Sequence, residues 1–190
     1  MISLVIGLGN IGKQYKGTRH NIGFEVVEQV RKRLKASFEP SSETYDCTAT
    51  ELSERRIILA WPKTYMNRSG IAARVLLQDT DLQPSQMLVV LDDFNLPLGS
   101  LRFRQAGSDG GHKGLASIIE ALETEDFPRL RLGIGPAPDN TDMTDFVLSR
   151  FTKEEIDSAK KMVAKAAEAV LFTIRHHLKE AMTRYNINPA

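Results

Sequence analysis

Apolar residues recur along this chain at two spacings, one typical of buried strands and one typical of amphipathic helices. Residues 2–8 form a short, almost continuous apolar run that leads into glycines, which predicts a buried strand. Asn21 can cap a helix, and the apolar positions from Phe24 to Leu34 recur on one helical face. The chain is therefore predicted to open with a strand, a loop and a helix.

The later segments continue this alternation of strands and helices. Residues 45–52 and 55–61 predict a strand pair joined by a two-residue turn. Further strands are predicted at QMLVVLDD, SLRFRQA and RLRLGIG, and helices at SGIAARVLLQDT, at GHKGLASIIEAL and over 153–184. Hairpin links among helical crossovers indicate an α/β fold, a single domain over residues 1–190 with a twisted mixed β-sheet flanked by helices.

Composition narrows the class of protein without indicating an activity. The 25 Lys and Arg residues against 24 Asp and Glu leave a net charge of +1, so any nucleic-acid binding must come from a local basic patch. The single cysteine, Cys47, excludes an intramolecular disulfide and is consistent with a reducing compartment. The sequence shows no leader pattern and no apolar run of membrane-spanning length, so we expect a cytoplasmic protein with no membrane partner.

The stretch GLGNIG at residues 7–12 has the spelling of a dinucleotide-binding loop. Such a loop requires a helix that begins at its third glycine and an acid about 20 residues later, at the end of the next strand. Gly12 is followed instead by KQYKGTRHN, and the next acids, Glu25 and Glu28, fall inside the predicted helix. The context argues against a dinucleotide site. The remaining interpretation is a wide loop at the carboxyl end of a buried strand, which is where open α/β sheets bind ligands.

Polar residues suited to catalysis lie at the ends of separate predicted elements. Asn10 is in the glycine loop, His20 precedes the helix cap, Asp92 and Asp93 close a buried strand, and His112 starts a helix. A turn or a cap explains each one alone. Together they indicate an active site. Because side chains alternate along a strand, Asp93 is expected to face away from Asp92 and to serve the structure.

Four longer segments carry a family resemblance: GLGNIGKQYKGTRHNIGF, PKTYMNRSG, LDDFNLPLGSLRFRQAGSDGGHKGL and RLRLGIG. In this order, from residue 7 to residue 135, they resemble the successive motifs of the bacterial-type peptidyl-tRNA hydrolases. The resemblance implies a single-domain fold of the peptidyl-tRNA hydrolase, or phosphorylase/hydrolase-like, type. It also implies that a monomer without metal or organic cofactor cleaves the ester between a peptide and the 3′ end of tRNA.

Hydrolysis of that ester requires a base to activate water and a donor for the charge that develops on the carbonyl oxygen. His20 is the candidate base. Asp92 matches the family's catalytic acid, which would orient the imidazole and stabilise its charged form. Asn10 is the candidate donor to the oxyanion, because a neutral amide does not perturb the base.

The resemblance also implies contacts to the peptide and to the tRNA. Asn67 is expected to position the substrate, and His112 to stand at the mouth of the site. Arg102 and Arg131 match the family's basic clamp on the tRNA 5′-phosphate, and alternation along LRFR and RLRL brings Arg104 and Arg129 to the same faces. The full set of expected substrate and tRNA contacts is Tyr15, Tyr65, Met66, Asn67, His112, Lys113, Arg102 and Arg131.

Two positions depart from the family's usual pattern. Ile11 stands where Pro is usual, and Lys113 stands where Asn is usual. An ammonium only donates hydrogen bonds, so Lys113 bears on the placement of the water or the tRNA terminus, and it could add a phosphate contact. The segment GPAPDNTDMTDFVLSRF matches the family's mobile lid, and Gly110, Gly111 and Gly114 would let the backbone approach the RNA end closely.

Other chemistries have weak support in the sequence. There is no G-x-S-x-G motif, Ser69 resembles a helix cap, and Cys47 falls in a predicted strand. His176 and His177 are adjacent on a predicted helix and do not suit one metal. Two other classes stay open: a non-catalytic RNA-binding relative of the same fold, as in splicing factors of plant organelles, and, more remotely, a nucleotide-dependent oxidoreductase. Retention of the four residues of the catalytic motif, Asn10, His20, Asn67 and Asp92, argues against the first.

Overall fold

The computed structural model of the protein describes residues 1–40 and 42–186. Within them, seven strands form one mixed sheet in the order β2-β3-β4-β1-β5-β7-β6. The strands are β1 (Leu4–Gly7), β2 (Ser37–Phe38), β3 (Tyr45–Leu52), β4 (Arg55–Pro62), β5 (Met87–Pro97), β6 (Leu101–Arg104) and β7 (Arg129–Gly135). The predicted α/β class with a mixed sheet is confirmed.

Six α-helices accompany the sheet in the described residues. They are α1 (Ile22–Leu34), α2 (Ser69–Thr80), α3 (Lys113–Leu122), α4 (Met143–Leu148), α5 (Ile156–Arg175) and α6 (Leu178–Tyr185). Short 3₁₀ turns at Lys13–Tyr15, Arg19–Asn21 and Met66–Arg68 lie in the loops before α1 and α2, and another at Pro84–Gln86 leads into β5. Among these residues, no helix combines the length and the hydropathy needed to cross a bilayer.

The four central strands set the direction of the sheet. β1 runs parallel to β4 and β5, and β5 runs parallel to β7. β2, β3 and β6 run antiparallel to their neighbours at the two sides. Gly7, the last residue of β1, pairs with Val90, so Asn10 and Asp92 both lie just past the end of that ladder. The parallel strands therefore bring the predicted site residues to one edge of the sheet.

Apolar side chains of β1 point alternately to two cores, one on each face of the sheet. Leu4 and Ile6 pack in the core shared with α2 and α3. Val5 packs in the core shared with α1, α5 and α6. A Cβ on Gly7 would collide with the carbonyl group of Gly23 in α1, so this glycine allows the strand and the helix to approach closely. Gly7 thus serves packing, and α1 begins only at Ile22, as expected for a chain without a dinucleotide-binding loop.

Two features of the chain differ from the prediction. The helix expected over 153–184 is wrong as one element, because α5 ends at Arg175 and the extended backbone of His176 separates it from α6. The apolar stripe continues across this break, so periodicity alone did not detect it. Asn21 does precede α1, but its side chain makes no cap and binds the backbone of Asn10 instead.

Candidate active site

A buried carboxylate between two imidazoles forms the centre of the site. His20 Nδ1 lies 2.9 Å from Asp92 Oδ1 and 3.0 Å from Oδ2. His112 Nε2 lies 3.1 Å from Asp92 Oδ1. All three residues are buried, Asp92 to 2% exposure. The structure brings His20 and Asp92 together, as the family resemblance implies, whereas the contact between His112 and Asp92 was not expected.

Backbone elements fix the orientation of both imidazoles. His112 is the N-cap of α3, and its Nδ1 accepts a hydrogen bond from the Leu115 amide at 3.1 Å. The proton of a neutral His112 is therefore on Nε2, which donates to Asp92. His20 Nδ1 likewise donates to the carboxylate. The Nε2 atom of His20 keeps its lone pair and can accept a proton from water.

Electrostatics hold Asp92 in its ionised form. Burial raises the pKa of the Asp92 carboxyl, but the attraction of His112 and His20, with a hydrogen bond from each, outweighs the burial and holds this pKa well below its usual range. A carboxylate that stays negative stabilises positive charge on an adjacent imidazole. The group is therefore suited to support a base that gains a proton during a reaction.

Asn10 is held in one orientation beside the histidines. Its side-chain Oδ1 accepts a hydrogen bond from the Met66 amide at 2.8 Å. The side chain of Asn21 accepts from the backbone amide of Asn10 at 2.8 Å and donates to its carbonyl at 2.9 Å. Because the Asn10 side-chain oxygen is engaged, the NH₂ group is the part of this amide that can donate to a ligand.

An open cleft of about 310 Å³ surrounds these groups. Nine of the eleven site residues expected from the sequence line it: Asn10, Tyr15, His20, Tyr65, Met66, Asn67, Asp92, His112 and Lys113. Six further residues line the cleft without having been named as substrate contacts, although Gly111 and the lid segment were singled out from the sequence: Phe94, Gly111, Met143, Thr144, Val147 and Leu148. Four of these six come from α4 and its first turn. Asp142 accepts hydrogen bonds from the Thr144 and Asp145 amides as the N-cap of α4, a signal that could have located this helix.

The turn that carries His20 is anchored to the chain that follows α4. The neighbouring Arg19 is buried, and its guanidinium pairs with Glu155 at 2.6 Å. The same guanidinium lies 4.6 Å from the ring centroid of Phe146 and 4.7 Å from that of Phe151. The segment expected to be a mobile lid is thus tied at Phe146 to the residue beside the candidate base. Its mobility remains a prediction.

The two arginines expected to clamp the tRNA lie apart from the cleft, on neighbouring strands at one side of the sheet. Arg102 of β6 and Arg131 of β7 are paired in register. The Nε atom of Arg131 lies 2.6 Å from Asp93 Oδ2, and a quarter of the Arg131 side chain is exposed. Asp93 thus faces away from the histidines, as predicted, and orients a guanidinium.

Three smaller expectations need correction. Arg129 is 1% exposed and donates to the carbonyls of Gly107, Glu125 and Phe127, so it fastens a loop and is not on a phosphate-binding surface. Gly114 is buried, and a Cβ there would lie 2.5 Å from the Met66 sulfur, so this glycine serves packing. Ser69 is the first residue of α2 and donates to the Met66 carbonyl at 2.8 Å, where a cap was expected.

The donor set could also hold a metal ion. One nitrogen each from His20 and His112 and one Asp92 oxygen lie within 4.8 Å of one another. In the described part of the chain, this is the group of at least three His, Cys, Asp or Glu side chains whose ligand atoms lie close enough together to hold one ion. His20 Nδ1 and His112 Nε2 already make hydrogen bonds with this carboxylate, so an ion held by these two nitrogens would have to replace two protons.

These observations define a class of enzyme. The cleft pairs an oriented imidazole with an amide donor, and among the described residues that line it there is neither Ser nor Cys. Such a site suits hydrolysis of an acyl compound by water that the imidazole activates directly.

Comparison with known proteins identifies the family within that class. The family model described as peptidyl-tRNA hydrolase matches residues 4–190. The peptidyl-tRNA hydrolase of Methylacidiphilum infernorum is 49% identical over 165 residues, covering 87% of each chain, and that of a Sulfurihydrogenibium species is 43% identical over 188 residues, covering 99% of each. The crystal structure of peptidyl-tRNA hydrolase from Acinetobacter baumannii matches with a TM-score of 0.91 at 29% identity, covering 98% of this chain and 95% of that one. The chain belongs to the peptidyl-tRNA hydrolase family.

Proposed function

We propose that this enzyme hydrolyses the ester bond between a peptide and the 3′-terminal ribose of tRNA, with His20 as the general base. The observation that carries the proposal is the pair of 2.9 and 3.0 Å contacts between His20 Nδ1 and the Asp92 carboxylate, at the wall of an open cleft. This arrangement leaves His20 Nε2 as the basic atom. Membership of the family supports the choice of substrate.

The reaction follows from the roles of three side chains. His20 Nε2 takes a proton from a water molecule, whose oxygen attacks the ester carbonyl carbon. The Asn10 NH₂ group donates to the negative carbonyl oxygen of the tetrahedral intermediate. The imidazolium, stabilised by Asp92, then gives its proton to the ribose oxygen as the carbon–oxygen bond breaks. The products are a peptide with a free carboxyl group and tRNA with a free terminal hydroxyl.

The other cleft residues would position the two parts of the substrate. Asn67 and Lys113 are exposed at the rim, where an amide and an ammonium can bind the terminal nucleotide. The Tyr15 and Tyr65 rings offer stacking or packing surfaces. Met66 is buried at 4% exposure and shapes the floor of the cleft.

We place the tRNA 5′-phosphate at Arg102 and Arg131. Because Asp93 engages the Nε side of the Arg131 guanidinium, the terminal nitrogens remain to donate to phosphate oxygens. We also propose that the enzyme is a monomer, that it acts in the cytoplasm, and that it needs no resident metal. A non-catalytic RNA-binding role is not favoured, because the four residues of the catalytic motif are retained in one cleft.

The test is release of peptide from a purified N-blocked aminoacyl-tRNA by the wild type and by His20→Ala. We expect the rate to fall by roughly 10²–10⁴-fold, because the general base is lost. Affinity for the tRNA, measured by filter binding, should change little. Equal turnover by the two proteins would remove His20 from the mechanism.

A further inference from the structure

A second hollow of about 510 Å³ lies on the other side of the glycine loop from the catalytic cleft. We call it the aromatic trough, and its apolar walls are Ile11, Phe24, Phe38 and Trp61. The loop divides the two cavities: Asn10 lines the cleft, while the next residue, Ile11, lines the trough. The Phe24 ring lies so close to the loop that a Cβ on Gly9 would be 2.8 Å from it. The trough and the active site thus lie next to each other, separated by the glycine loop.

The walls of the trough expose apolar surface to solvent. Phe38 is 60% exposed and Ile11 is 40% exposed. The Phe38 ring lies 5.7 Å from the ring of Trp61, centroid to centroid. The indole nitrogen of Trp61 donates to the Phe24 carbonyl at 3.3 Å, so the indole needs no polar partner from a ligand. Clustered apolar groups of this kind mark binding surfaces.

The charges around the trough are balanced. Its lining includes three lysines, Lys16, Lys32 and Lys63, and three acids, Glu25, Glu28 and Asp46. Lys32 lies 3.5 Å from Glu28, and Lys63 lies 3.7 Å from Asp46. A polyanion such as RNA gains little from Lys32 and Lys63, because each is already paired with an acid. An uncharged or apolar peptide segment fits this surface better.

The order of the strands indicates in which direction the peptide of the substrate extends from the tRNA. The arginines assigned to the tRNA lie on β6 and β7, Asp92 lies on β5 with His20 beside it, and Trp61 and Phe38 lie on β4 and β2. A peptide ester extends away from the tRNA on the far side of the reacting carbonyl. We propose that the aromatic trough binds the part of the peptide that lies N-terminal to the esterified residue. This inference rests on the proposed function.

The first test compares two substrates on the same tRNA, one with a single N-acetylated residue and one with an N-acetylated apolar hexapeptide, which reaches about 20 Å when extended. The quantity measured is the ratio of kcat/KM for the long substrate to that for the short one. We expect Phe38→Thr to lower this ratio about fivefold, because exposed aromatic surface is lost. The matched control is Ile156→Thr, which removes a 37% exposed apolar side chain outside both cavities and should leave the ratio as in the wild type. A ratio unaffected by Phe38→Thr would overturn the proposal, even if both substrates are hydrolysed.

The second test does not depend on catalysis. Trp61 is the only tryptophan in the chain, so its emission reports on the trough directly. We expect the free N-acetyl hexapeptide, made without tryptophan, to shift this emission to shorter wavelength, and Phe38→Thr to weaken the titration about fivefold. A CCA ribotrinucleotide is the competing probe. A response to the trinucleotide with none to the peptide would assign the trough to RNA and overturn the proposal.

Discussion

Asp92 and Asp93 are adjacent in β5, but they face opposite sides of the strand and hold different partners. Asp92 lies between two imidazoles, a kind of side chain that can accept and donate a proton. Asp93 holds the guanidinium of Arg131, which is permanently charged. An aspartate therefore organises both the catalytic cleft and the site formed by Arg102 and Arg131, which we call the arginine edge. The partner determines whether the carboxylate supports proton transfer or fixes a cation for binding.

The comparison is tested most strongly by the variants Asp92→Asn and Asp93→Asn. For Asp92→Asn we expect kcat to fall by roughly 10²–10⁴-fold, because a neutral amide neither stabilises an imidazolium nor enforces the required tautomer. Asp93→Asn should keep kcat at saturating substrate close to that of the wild type. The measurement is steady-state hydrolysis of an N-blocked aminoacyl-tRNA at saturating substrate. Equal losses in the two variants would show that the carboxylates are not divided between two tasks.

A variant of His112 tests the catalytic half of this comparison. Its Nε2 donates to the carboxylate that also orients His20, so its loss should let Asp92 and His20 shift together. We expect His112→Asn, which retains a residue suited to the N-cap, to lower kcat by about 10- to 100-fold. A role only at the mouth of the site would instead raise KM and leave kcat unchanged. Steady-state kinetics over a range of substrate concentrations distinguish the two outcomes.

The sequence predicted several elements from their local pattern, although one unbroken apolar stripe covers both α5 and α6. The hairpin β3–β4 and helix α2 follow their local pattern closely, since alternation and helical spacing are local properties. The pairing of His20 with Asp92 was implied by the family resemblance, whereas the alternation of side chains along a strand predicted that Asp93 would face the other way. Contacts between distant segments have no such local signal. The His112–Asp92 contact, the Asn21–Asn10 contact and the burial of Arg129 all depend on tertiary packing.

Arg129 and Arg131 allow the arginine edge itself to be tested. We expect Arg131→Ala, and likewise Arg102→Ala, to weaken tRNA binding and to lower the slope of log K against log salt by about one unit. Arg129→Ala should leave that slope unchanged. It should instead lower the free energy of unfolding by roughly 1–3 kcal/mol, because buried carbonyls lose their donor. Binding is measured at several salt concentrations, and unfolding in urea. An altered salt slope in Arg129→Ala would return this residue to the RNA-binding surface.

The smallest effect is expected from removing metal ions, and it tests how the cleft uses its three donors. His20 and His112 each direct a nitrogen at Asp92, and the hydrogen bond from the Leu115 amide places the proton of His112 on that side. Protons therefore already occupy the positions that a metal ion would take. We expect 1,10-phenanthroline, added with Mg²⁺ present to keep the tRNA folded, to leave the hydrolysis rate unchanged. Added Zn²⁺ should inhibit the enzyme, because it competes with those protons and withdraws His20 from its role as base. Activity that is lost with the chelator and restored by Zn²⁺ would mean that the donors serve a metal, and that the imidazole is not the base.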